Sequence, residues 1–384
     1  MNTNQTAAIY LHSPWCVQKC PYCDFNAYSQ PSSFQLIEQA YLHALLNDIR
    51  STKRFFPQYS KISSIYLGGG TPSLMSTRYW EKVFDCLRSE FNINLREIEI
   101  TMEASPNTPL EYFESIMDIG VNRFSLGVQS LNPRTLSLLG RDHKAEDGYR
   151  AIEFLQHRAR VNCDLIYGLR DQTVDEAISD LSFITKHTTI SHLSWYELQI
   201  EPNTKFYQTP EIKGADEHLE NIESSAQEFL SEWEHYEISA FAKQKEYSQH
   251  NCTYWTYGDY LGFGAGAHSK ITSLPMNRSM RFFKTRYPKD YINNQKWIYD
   301  PGVDEALDFL LLRLRLFQPI MPHELKKLSP QSQHQIISWI KHDRRLADFL
   351  LEAKDNSICI NPEIHSHLST ILLWFDEWRS NTRF

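Results

Sequence analysis

The chain has 384 residues, 41% hydrophobic and 22% charged, an ordinary globular composition. Its 39 Lys and Arg against 47 Asp and Glu leave a net charge of −8, which argues against a protein that lives on nucleic-acid phosphates. The length suits two or three domains and a large core. The opening MNTNQTAAIY lacks the cationic start and apolar run of a secretory leader. The most apolar stretch, 307–317, is broken by Asp308, Arg313 and Arg315. A cytoplasmic location is expected. Seven cysteines, three clustered and four scattered, do not form a disulfide framework. The scattered Cys86, Cys163, Cys252 and Cys359 are expected to be buried small hydrophobes.

In chain order, 7–12 is a β-rich run, followed by a loop that holds Cys16, Cys20 and Cys23. Ile37, Tyr41, Leu45 and Ile49 recur at four-residue spacing and predict an amphipathic helix over 33–55. A strand at 62–67 ends in Gly68-Gly69-Gly70, and Trp80, Val83, Phe84 and Leu87 line one face of the next helix. Strands follow at 97–102, 123–126, 161–167 and 192–198, separated by helices at 110–119, 133–139, 145–157 and 174–186. Such β/α alternation predicts an α/β fold with a parallel sheet, either open or an incomplete barrel. In both, working residues gather at the C-terminal ends of the strands. Beyond residue 200 the rhythm changes: 216–235 reads as an acidic helix, 236–242 as a strand and 249–270 as irregular. The expected division is a core at 1–235, a connecting segment at 236–300 and a mainly helical domain at 301–384.

The cysteines form a C-x3-C-x2-C pattern that stops at Phe25. Zinc would need a fourth ligand, and His12 is nearby, but no second paired half-site exists. A [4Fe–4S] cluster on Cys16, Cys20 and Cys23 would leave one iron open for a small molecule. Tyr22, between the last two cysteines, would then pack against the cluster or its ligand. The glycine run lets backbone approach a ligand closely, although an ordinary tight turn would use it too.

The pattern resembles the motif of radical S-adenosylmethionine (SAM) enzymes, in which SAM chelates the open iron. The segments YLHSPWCVQKCPYCDFNAYS, IYLGGGTPSLM, TMEASPNT, GVNRFSLGVQSLNPRTLSLLGRDH, DLIYGL, ELQIEPNT and GDYLGFGAGAHSKI occur in one order between about residues 8 and 271. Together they are similar to the oxygen-independent coproporphyrinogen III oxidase-like family. The resemblance implies a partial (β/α)6 TIM-type barrel, the radical SAM core, followed by a mainly helical C-terminal domain. Phe25 stands where the true oxidases usually carry a fourth cysteine, and 15 residues precede Cys16. Both features resemble the HemW-like heme chaperone branch. So does HNCTYW, from His250 to Trp255.

That resemblance implies a [4Fe–4S] cluster, SAM and heme as cofactors, and transfer of heme to apo-hemoproteins, membrane respiratory proteins among them. Peripheral membrane contact and a monomer or homodimer are compatible with it. The alternative is radical oxidative decarboxylation of coproporphyrinogen III, which Phe25 and the short N-terminal stretch disfavour; whether the chain is an enzyme stays open. Carried over motif by motif, the cluster falls on Cys16, Cys20 and Cys23, with Tyr10 and Tyr22 beside it. Gly69, Gly70 and Thr71 meet the methionine part of SAM. Glu103 takes its amine or a ribose hydroxyl, Gln129 and Asp164 the ribose, and Arg141 the carboxylate. His250 is the implied axial heme ligand, with Tyr254 and Trp255 against the porphyrin. Arg170 and Asp171 depart from the family's usual Pro-Gly, Trp15 from its Phe, and GAHS from GAHG; none removes an implied ligand.

Overall fold

The computed structural model describes residues 5–273, 278–352, 357–361, 364 and 367–381; the outermost ends of the first and last expected segments, 1–4 and 382–384, lie outside them. All six expected β/α strands are present: β1 (Gln5–Ser13), β2 (Tyr59–Gly69), β3 (Glu99–Ala104), β4 (Arg123–Gln129), β5 (Arg160–Tyr167) and β6 (His192–Glu197). Each pairs parallel with its neighbour. A hairpin of β7 (Glu234–Glu237) and β8 (Ala240–Ala242) adds antiparallel to β6. On the other side β9 (Tyr260–Phe263) runs parallel to β1 and is followed by β10 (His268–Ser273), β11 (Arg278–Phe283) and β12 (Ile298–Asp300). Among the described residues these make one 12-stranded sheet in the order β12-β11-β10-β9-β1-β2-β3-β4-β5-β6-β8-β7.

Successive side chains on a strand point to opposite faces. On the outer face Ile9, Leu11, Ile65, Leu67, Ile100, Met102, Phe124 and Leu126 are buried in one apolar core. The helices supply its other half: Phe34–Phe55 buries Tyr41, Leu45 and Ile49, and Thr77–Phe91 buries Trp80, Val83, Phe84 and Leu87. Ser76 starts the second of these by accepting a hydrogen bond from Tyr79 N, the usual serine N-cap. Residues one step along the same strands, such as Tyr10, Tyr66, Glu103, Ser125 and Asp164, face the opposite way. The apolar outer face fixes the register, and the register in turn points this polar set inward.

Three expectations are corrected. Residues 249–270 are not irregular but form the helix Gln249–Trp255, strand β9 and the start of β10. Glycines had hidden the strand: a Cβ on Gly262 would lie 2.0 Å from His268 O, so this pair of strands closes only without one. The acidic helix ends at Leu230, and the chain then enters the β7–β8 hairpin. Cys359 is exposed and Cys252 half-buried, whereas Cys86 and Cys163 are buried. The C-terminal part packs the helices Glu305–Arg313, Pro330–His342 and Leu368–Asn381 around Phe309, Leu310, Ile336, Trp339, Ile371 and Phe375.

A buried ion pair ties the first helix to the end of β11. Lys284 Nζ lies 2.6 Å from Asp48 Oδ1, Tyr291 OH donates to Asp48 Oδ2 at 2.8 Å, and both charged side chains are fully buried. Burial pushes Asp48 up and Lys284 down, each toward its neutral form, and their mutual attraction opposes this. Removing one partner strands the other. Asp48→Ala is therefore expected to cost about 3–5 kcal/mol of unfolding free energy, read from chemical denaturation; a loss no larger than a surface substitution causes would contradict the account.

Candidate functional site

The C-terminal ends of β1–β6 open onto a cavity of about 670 Å³. Cys16, Cys20, Tyr22, Cys23, Gly69, Gly70, Thr71, Glu103, Gln129, Arg141 and Asp164 all line it. A larger, more open recess of about 790 Å³ lies at the other ends of the strands, beside Glu99, Asn122 and Arg160, and holds none of the expected site residues.

The cysteine loop is closed at its root and pinned along its length. Trp15–Cys16 pairs parallel with Tyr28–Ser29, and Gln30 N donates to Cys16 O at 2.9 Å. Inside the loop Cys23 N donates to Cys20 O at 3.2 Å, a turn that brings the two cysteines to the same mouth. His12 Nε2 bonds Asn26 O at 3.0 Å and Nδ1 bonds Tyr10 OH at 3.0 Å. A carbonyl only accepts, so Nε2 carries the proton and Nδ1 accepts from Tyr10. Burial lowers the His12 pKa to about 4, so the ring is neutral. Both nitrogens are committed, and His12 braces the loop rather than completing a zinc site. Asn26 continues the brace by donating to Ala265 O at 3.0 Å and Arg286 O at 2.9 Å.

The glycine run is stapled to the same root. Gly70 N donates to Ser13 O and Thr71 N to Trp15 O, both at 2.7 Å. A Cβ on Gly70 would lie 2.4 Å from Trp15 O, which is why no side chain fits. Gly69 N donates to Glu103 Oε2 at 2.9 Å. All three N–H groups are thus used within the protein. What remains to the turn for a ligand is its carbonyls and the Thr71 hydroxyl, which suits an amino group.

Glu103 also accepts from Tyr66 OH at 3.0 Å. Burial pushes its pKa up to about 7; the Tyr66 bond opposes this and the nearby Asp164 adds to it. Asp164 accepts from Ser125 Oγ at 3.0 Å and Asn162 Nδ2 at 2.8 Å, and burial raises its pKa too. Gln129 has a left-handed φ of 65° at a register shift in β4, a bulge that re-aims the chain at the cavity. Arg141 NH1 reaches Cys20 Sγ at 3.2 Å and Tyr22 OH at 3.3 Å, while NH2 donates to Gly127 O at 3.0 Å. Its Nε is buried without a partner.

The donor set fits a cationic iron–sulfur group. Burial, then the neighbouring Cys23 and Cys20 thiols, push the Cys16 pKa up to about 11. Crowded buried thiols ionise only beside a cation. Among the described residues no three His, Cys, Asp or Glu side chains converge as around a single ion. A cubane supplies one iron per thiolate, so its ligands need not converge on a point.

His250 lies apart from this mouth, on a helix instead of a loop. It is fully buried, with Nδ1 2.9 Å from Ser64 Oγ and Nε2 hydrogen-bonded to Tyr254 OH. Its ring stacks on Tyr66 at 5.0 Å between centroids. Burial lowers its pKa to about 3, so it is neutral. The Trp255 Nε1 is buried without a partner, and Arg315 covers the ring at 4.5 Å. Tyr66, Asn26 and Asn251, which lines the cavity, were missed from sequence. For Tyr66 a signal existed: it is two residues before Gly68, hence on the same inward face.

Residues 10–184 match the family model of the Radical SAM superfamily. The heme chaperone HemW of Haemophilus influenzae is 37% identical over 341 residues, 86% of this chain and 88% of that protein. The heme chaperone HemW of Escherichia coli is 37% identical over 321 residues, 81% of this chain and 83% of its own. The Escherichia coli coproporphyrinogen III oxidase structure (HemN), a radical SAM enzyme, shares the fold, with a TM-score of 0.78 over 98% of this chain and 91% of that one at 19% identity. On these similarities the chain belongs to the HemW family of the radical SAM superfamily.

Proposed function

We propose that this chain is a heme chaperone that carries a [4Fe–4S] cluster and SAM, takes up heme and transfers it to apo-hemoproteins. Membership of the radical SAM superfamily implies the cluster and SAM. The observation that carries the reading is one cavity mouth where three thiols meet a glycine run with no free N–H and an arginine with an unpaired donor. Relatives similar over most of the chain are named heme chaperones. Cys16, Cys20 and Cys23 would hold the cluster. When bound, the cluster supplies one-electron chemistry and SAM a reducible sulfonium.

The chain's own residues bind and orient. Glu103 and the turn carbonyls of Gly69 and Gly70 receive the N–H groups of the SAM amine. Arg141, anchored on Cys20 and Tyr22, brings its unpaired Nε to the carboxylate. Asp164 and Gln129 take the ribose hydroxyls, and Tyr10 steadies the loop through His12. The same reading gives heme to His250 and places the work in the cytoplasm, with membrane respiratory proteins as recipients. Among the described residues no helix is long and apolar enough to cross a membrane.

Two measurements test this. Heme titrated into anaerobically reconstituted protein is expected to give a saturable Soret change. Losing a metal ligand costs at least the roughly 10-fold seen for losing its outer partner, so His250→Ala should weaken binding by that factor and alter the spectrum. An unchanged variant would remove His250 as ligand, and no saturable binding by the wild type would contradict the chaperone reading.

The second concerns pH. Burial pushes the Glu103 pKa up to about 7, so its carboxyl titrates near neutral pH. The sulfonium charge of SAM and its amino N–H donors favour the carboxylate, so the SAM-bound pKa lies below the free one. Binding is therefore strongest above the free value and weakens as pH falls through it. Between about pH 8 and about pH 6, calorimetry should show SAM affinity falling, by at most about tenfold per unit. Glu103→Gln should bind weakly and without that slope. Equal wild-type affinities at both pH values would contradict the assignment.

A further inference from the structure

Tyr66 links His250 of the helix Gln249–Trp255 to the cavity mouth, which Asn251 of the same helix also lines. Tyr66 donates its hydroxyl to Glu103 Oε1 at 3.0 Å, and its ring stacks on His250 with 28° between the planes. Glu103 in turn holds Gly69 N at 2.9 Å. His250 below is held by Ser64 and by Tyr254 of its own helix. The column therefore runs from the floor helix through Tyr66 to the glycine run.

One carboxylate, Glu99, clamps the start of the helix. Glu99 Oε1 accepts from His250 N at 3.0 Å, and Glu99 Oε2 from Gln249 N at 3.2 Å and from Arg160 NH1 at 2.9 Å. Backbone strain sits at both of its ends. Among the described residues five non-glycine positions have left-handed φ, and three of them flank this helix: Gln244 at 53°, Lys245 at 60° and Tyr257 at 57°. Such conformations persist only when the surroundings enforce them.

An iron–nitrogen bond needs an accessible lone pair on the imidazole. In this structure His250 is 0% exposed and both ring nitrogens are engaged. To bind heme iron it must leave the face of Tyr66. Tyr66 then keeps Tyr10, stacked at 6.2 Å, but loses the closer His250 ring, which loosens the hydroxyl it holds on Glu103. We propose that Tyr66 is a positioning residue that couples the two sites, so that heme coordination by His250 and SAM binding at Glu103 oppose one another. The inference rests on the reading of His250 as heme ligand. Its consequence is directional: loading SAM seats Tyr66 and His250 in the column and so favours handing heme on.

Linkage requires the effect to be reciprocal. The test uses the full chain with its cluster reconstituted. SAM affinity is measured by calorimetry with and without saturating ferric heme, and heme affinity by Soret titration with and without SAM. The expected result is that each ligand weakens the other by the same factor, on the order of tenfold. Tyr66→Phe keeps the ring and removes the hydroxyl; it should bring that factor toward one while the heme spectrum stays His250-dependent. Independent binding, or mutual strengthening, with a His250-dependent spectrum overturns the coupling and leaves the chaperone reading intact. A heme spectrum indifferent to His250→Ala overturns the ligand assignment and the coupling with it. The wild-type titrations need no variant, so they decide the question even where Tyr66→Phe fails to fold.

Discussion

Two backbone hydrogen bonds, from Gly70 N to Ser13 O and from Thr71 N to Trp15 O, hold the site together. They staple the turn after β2 to the root of the cysteine loop after β1, at a separation that admits no Cβ on Gly70. The placing of the cysteine loop against the glycine turn follows from that closure. The loop cannot drift from the turn, so the thiols and the glycine acceptors share one cavity. With its N–H groups spent internally, the turn presents oxygen to whatever binds beside the cysteines. His12, Asn26 and Tyr41 then fix the loop from the side: Tyr41 OH donates to His12 O at 2.9 Å and accepts from Ala265 N at 2.8 Å.

The cavity pays electrostatically for its shape. Glu103 and Asp164 face each other's charge inside a low-dielectric wall, and burial raises both pKa values. Buried groups of this kind, set beside hydrogen-bond donors in a cleft, are poised to gain from a cationic ligand. Cys20 has Arg141 against it at 3.2 Å, a cation already in place for a thiolate. On the floor the imidazoles run the other way: burial keeps His12 and His250 neutral, so they brace without adding charge.

The β/α core was legible because the apolar spacing of its helices and the alternation of its strands are local signals, and the structure places each where the spacing demands. The motif residues at the strand ends were legible because register forces them inward once the outer face is apolar. What escaped was set by distant contacts. The helix at Gln249–Trp255 has no apolar period; it is fixed by Ser248, which accepts from Asn251 N, and by Glu99 from another strand. Strand β9 is masked by glycines whose need arises only when β10 lies beside it. Sequence names His250 but not its direction, and an inward-facing, doubly bonded imidazole reads the same as an exposed one. Tyr66 was missed for a related reason: its task joins two sites that sequence separates by 184 residues, from Tyr66 to His250.

The central claim is that the open coordination position beside Cys16, Cys20 and Cys23 belongs to SAM. Anaerobic electron paramagnetic resonance of the reduced, reconstituted protein tests it most directly. The account predicts a reduced [4Fe–4S] signal whose g-values shift when SAM is added, and whose shift is lost with Glu103→Gln at the same SAM concentration. A signal that SAM leaves unchanged, at concentrations where calorimetry shows SAM bound, would contradict it.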